Sequence, residues 1–133
     1  MLPLWIFSEG DRVRGLGHLS RCSAYAQAWR QQGGVVHWVV DGDALASTLL
    51  EGESVSWGRW QQQSIPPQQA VAIVDSYSAS LETLQSMAAG FVRVMYLDDA
   101  ERLDYPKGMV VHASPGPHGD KSGAAIWRWG PGW

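Results

Sequence analysis

The chain has 133 residues, the size of a single globular domain, and is 45% hydrophobic and 17% charged, which excludes an intrinsically disordered chain. Its 13 acidic residues against 10 Lys and Arg give a formal charge of −3, so the basic surface that nucleic acid calls for is absent. Cys22 stands alone and excludes an intrachain disulfide, no apolar run has the length of a membrane span, and Met1 to Phe7 lacks a basic leader; the expectation is a cytoplasmic protein.

Leu2 to Phe7 reads as a buried first strand, with Pro3 tolerable only near its start. Ser8 to Gly17 follows as a loop with three glycines and two arginines. From His18 the period changes: Leu19, Cys22, Tyr25, Ala26 and Trp29 recur at helical spacing until Gly33-Gly34 stops the helix. Val35 to Val40 is nearly continuous in apolarity, which suits a parallel strand covered on both faces. Asp41 or Asp43 is placed to cap a short helix through Leu50, Val55 to Trp57 reads as a minor strand, and Gln61 to Gln69 as a polar connector. Ala70 to Val74 is the next strand, ending at Asp75-Ser76-Tyr77-Ser78, and Ser78 or Ser80 caps a helix to Ala89 that Gly90 ends. Phe91 to Leu97 gives a strand ending at Asp98-Asp99, and Met109 to His112 a further short one. Residues 114–133 form a tail rich in Gly, Pro and Trp, with strand pairing expected only at Ala125 to Trp129.

Strands alternating with helix-length segments predict an α/β fold: one Rossmann-like domain over residues 1–133, doubly wound, its mostly parallel sheet covered by helices on both faces. Right-handed crossovers then bring Ser8 to His18, Asp75 to Ser78 and Asp98-Asp99 to one carboxyl edge, where open α/β sheets bind ligands. Gly10, Gly15 and Gly17 permit close backbone approach there, and His18 sits at a helix start whose unpaired N–H groups favour an anion. A neutral imidazole at that place can act as a general base, and Arg21, one turn inward, can order the turn or meet the anion. The glycine spacing fits neither a dinucleotide fingerprint nor a phosphate loop. Asp75, Asp98 and Asp99 are strand-end acids that serve equally as turn caps or as site residues; Asp98 or Asp99 is placed to orient a base. His37 reads as structural, His112 and His118 with Cys22 make no zinc spacing, and Trp5, Trp29, Trp38 and Trp57 are assigned to the core.

Phe7-Ser8-Glu9-Gly10 followed by Gly15-Leu16-Gly17-His18-Leu19-Ser20-Arg21-Cys22 resembles the amino-terminal motif of the UDP-sugar hydrolases of pseudaminic acid synthesis and their spore-coat polysaccharide relatives. Val74-Asp75-Ser76-Tyr77, Met95-Tyr96-Leu97-Asp98-Asp99 and Trp129-Gly130-Pro131-Gly132-Trp133 resemble later motifs of the same family, in the same order. The resemblance implies the first half of a GT-B fold, as in MurG-type glycosyltransferases, with no cofactor. His18 would be the catalytic base that helps water displace UDP from the sugar. Glu9, Gly10, Gly15, Gly17, Arg21, Asp75, Ser76, Tyr77, Asp98 and Asp99 would line the sugar side. Four positions depart from the family pattern: Phe7 replaces Arg, Glu9 Asp, Ser76 His and His112 Asn. Uridine and diphosphate would be held mainly by a second, nucleotide-binding domain, so this chain alone would be inactive. The alternative is a non-catalytic small-molecule-binding or interaction module derived from that fold. Either way the uncovered face and the Trp-rich tail predict self-association, most simply as a homodimer.

Overall fold

The computed structural model describes residues 1–98, 102–112 and 125–129, whose strands form one seven-stranded, all-parallel sheet. The strands are β1 (Leu4–Gly10), β2 (Val36–Gly42), β3 (Val55–Trp57), β4 (Val71–Asp75), β5 (Arg93–Leu97), β6 (Gly108–His112) and β7 (Ala125–Trp129). The helices are α1 (Gly17–Gln31), α2 (Ala44–Leu49) and α3 (Leu81–Gly90). Strand order is β3-β2-β1-β4-β5-β6-β7, so the chain starts in the middle and winds outward in both directions. This is the doubly wound, Rossmann-like α/β architecture expected from the sequence. No described helix is long and apolar enough to cross a membrane.

The two directions of winding dictate the two layers. Connections running from β1 toward β3 carry α1 and α2, which pack on one face with Leu4, Ile6, Trp38, Val40 and Ile73. Connections running from β3 toward β6 carry Trp60, α3 and Tyr105, which pack on the other face with Phe7, Ala72, Val74 and Val94. Opposite directions on opposite faces is what a single crossover handedness requires. Leu4, Ile6 and Phe7 are almost wholly buried, each worth about 1.5–3 kcal/mol of apolar transfer.

Local signals fix the element ends. Asp43 caps α2 by accepting from the Leu45 and Ala46 N–H groups, and Ser80 caps α3 by accepting from Thr83 N–H. α1 stops at Gly33, whose positive φ of 89° lets Gly33 and Gly34 donate back to Arg30 and Trp29. Leu16, at the start of α1, supplies no side-chain cap.

β1 runs three residues past the apolar stretch seen in the sequence, through Ser8, Glu9 and Gly10, because those polar residues are hydrogen-bonded inside. Trp57 is 44% exposed rather than core, since β3 is the edge strand, while Trp60, just before the polar connector, is buried and donates to the Ser8 carbonyl at 2.9 Å. Asp99, His118, Trp133 and the side chains of Trp127 and Trp129 lie outside the described residues.

Gly42 ends β2 against the glycine-rich loop: a Cβ there would stand 2.8 Å from Ala46 Cβ and 2.8 Å from the Gly10 carbonyl oxygen. Gly42→Ala is therefore expected to cost about 1–3 kcal/mol, read as a lower urea midpoint with unchanged slope.

Candidate functional site

Parallel register sets Ser8 of β1 beside Asp75 of β4 at the carboxyl edge, and α1 starts above them. Asp75 is fully buried, and α1 meets it with three side chains one turn apart. His18 Nδ1 lies 2.5 Å from Asp75 Oδ1; Arg21 donates from Nε to Oδ2 and from Nη2 to Oδ1, each at 2.7 Å. Cys22 Sγ approaches Oδ2 at 3.8 Å, and the Ser8 hydroxyl donates to the Asp75 carbonyl at 3.0 Å. Burial, and then the Asp75 charge, push the Cys22 thiol well above its ordinary pKa, so it is a buried donor and not a nucleophile.

Asp75 fixes which ring nitrogen of His18 carries the hydrogen. A carboxylate only accepts, so Nδ1 is the donor, and in the neutral ring the lone pair is then on Nε2. His18 is 93% buried yet lines an open cleft of about 260 Å³ together with Arg14, Gly17, Arg21 and Tyr77. The Tyr77 ring meets the imidazole edge to face, with centroids 4.3 Å apart. Two arginines, the start of α1 without a side-chain cap and a buried imidazole thus share one small hollow.

A second buried carboxylate shapes the walls. Glu9 accepts from the Ser76 hydroxyl, from Ser78 Oγ at 2.7 Å, from Gln61 Nε2 at 3.2 Å and, through its other oxygen, from Tyr77 N–H at 3.2 Å. Burial raises the Glu9 pKa, but these four bonds outweigh it and hold the group below its ordinary 4.5. Gln61 also donates to Asp41 Oδ2 at 2.9 Å, and Asp41 receives Arg14 at 3.1 Å. Arg14 is further held by Asp11, which organises the turn from Asp11 to Gly15 by accepting from the Val13 and Arg14 N–H groups. Gly15 closes that turn at a φ of 86°, and Gly10 lies so near Leu19 and the Gly15 carbonyl that a Cβ would reach 2.9 and 3.0 Å.

The structure thus gathers His18, Arg21, Gly17 and Tyr77 at the cleft and sets Glu9, Gly10, Asp75 and Ser76 beneath or behind it. Asp98 is buried one strand further on, taken up by the Tyr105 hydroxyl and the Arg102 N–H. The acid that orients the histidine is Asp75, not Asp98. Asp41, read from the sequence as a candidate helix cap, joins the site with Arg14 of the glycine-rich loop and with Gln61, which had no sequence signal of its own. No known protein family, curated protein or solved structure matches the chain.

Because the folded pKa of Glu9 lies below the ordinary value, its stabilisation is present above pH 4.5 and lost as pH falls through the depressed pKa. Glu9→Gln is expected to lose roughly 2 kcal/mol at neutral pH, the gap to the parent protein narrowing in urea titrations as pH falls through the depressed pKa.

Proposed function

We propose that the chain is the sugar-side domain of a nucleotide-sugar hydrolase in which His18 acts as general base. The observation that carries this reading is the His18–Asp75–Arg21 arrangement: an imidazole whose Nδ1 is taken up by Asp75, at the wall of an open cleft that two arginines also line. In the reaction, a water oxygen bonds to the anomeric carbon and its proton passes to His18 Nε2. The bond from that carbon to the phosphate oxygen breaks, and its electron pair leaves on UDP. Asp75 steadies the imidazolium that forms, as an orienting acid does in other base-assisted hydrolases. Arg14, Arg21 and the start of α1 favour the phosphate end of the substrate.

At about 260 Å³ the cleft is below the usual size of a complete small-molecule site, which fits a half-site completed by a nucleotide-binding domain. One observation favours a non-catalytic binding module instead: Glu9, at a position the hydrolases fill with Asp, is spent entirely on internal bonds.

UDP-N-acetylglucosamine titrated into the chain is expected to bind with a Kd in the millimolar range, shifting the amide resonances of Gly17, His18 and Tyr77 first. Joined to a nucleotide-binding domain, the protein should release UDP, and His18→Asn should lower kcat by about 100-fold or more with little change in KM. Unshifted resonances at about 10 mM ligand, or near-normal turnover of His18→Asn, would sink the proposal.

A further inference from the structure

Among the described residues, the α1 face of the sheet is only half covered. In register across it, Ile73, Met95, Met109 and Ile126 form one apolar row through β4, β5, β6 and β7. Exposure climbs along the row with distance from α1: Ile73 is 4% exposed, Met109 38% and Ile126 55%. Topology explains the gap. Every described connection running from β3 toward β6 packs on the α3 face, so none of them covers this one. What remains is a pair of adjoining hollows of about 350 and 550 Å³ that share Val71 and Met95. At the usual strand spacing the row spans about 14 Å, enough for one helix of about 10 Å diameter lying beside α1.

The rim of the larger hollow carries Arg93 and Lys107 and no acidic side chain. We propose that this slot is a docking surface for an amphipathic helix of a partner protein, apolar on the face it buries and acidic along its flanks. A second copy of this chain is the poorer occupant, because its own slot offers no acidic side chain to meet Arg93 and Lys107. The slot lies at the opposite end of β4 from Asp75, so the inference stands apart from the hydrolase reading.

The test uses a helix-forming peptide of about 18 residues with a leucine stripe, made in two versions flanked by Glu or by Lys. The Glu version should bind at least about tenfold more tightly, and should weaken as salt is raised. The double variant Arg93→Glu, Lys107→Glu should reverse the preference; both side chains lie at the surface, and circular dichroism checks that the fold is kept. Met109→Lys should abolish binding of the Glu peptide. Equal affinity for the two peptides, or binding of neither, overturns the proposal. So does a concentration-dependent dimer in sedimentation that Met109→Lys dissolves, which would assign the slot to a second copy.

Discussion

A carboxylate sealed beneath the end of β4 has to be neutralised in place, and Asp75 draws its donors from α1 alone. That requirement fixes the angle at which α1 leaves the glycine-rich loop, because His18, Arg21 and Cys22 must all face the same strand end. Removing one partner of such a buried pair typically costs about 3–5 kcal/mol, so the arrangement is self-enforcing once formed. The bidentate grip of Arg21 has a further consequence. It shares Asp75 Oδ1 with His18 Nδ1, so the imidazole is ordered as part of satisfying a buried charge.

The alternation of a β-strand then splits the site between two faces. Ser8 points to the α1 face and bonds to the Asp75 backbone, while its neighbour Glu9 points to the α3 face and gathers Ser76, Ser78 and Tyr77 N–H. From that second face the turn after β4 carries the Tyr77 ring back over the edge to touch His18. Gln61 and Asp41 extend the same network to Arg14 on the opposite wall of the cleft. Both walls are therefore tied by polar bonds to a fully parallel sheet edge, while the core packing of Leu19, Cys22 and Ala26 seats α1 on the sheet.

The fold was legible in the sequence because five of the strands are nearly continuous apolar runs and their connectors have helix length. The ends of β1 were not, since Ser8 and Glu9 look like loop residues until their internal bonds are known. Within the site, His18 and the glycines stood out by their place at a helix start. Which acid serves the histidine did not, because Asp75, Asp98 and Asp99 are equivalent as strand ends in one dimension. Strand order decides it: β4 pairs directly with β1, whereas β5 lies one strand spacing further away. Gln61 was hidden in a stretch whose composition reads as solvent-exposed, with Trp60 just before it; both are interior and hydrogen-bonded to β1.

The central claim is that Asp75 holds His18 as the Nδ1–H tautomer at the wall of the cleft. Long-range proton–nitrogen correlation of the ring, recorded at a pH where the imidazole is neutral, reads the tautomer directly. The account requires a pyrrole-like Nδ1 and a pyridine-like Nε2 for His18. A His18 ring with the hydrogen on Nε2, or one that averages between the two forms as a free imidazole does, would contradict it.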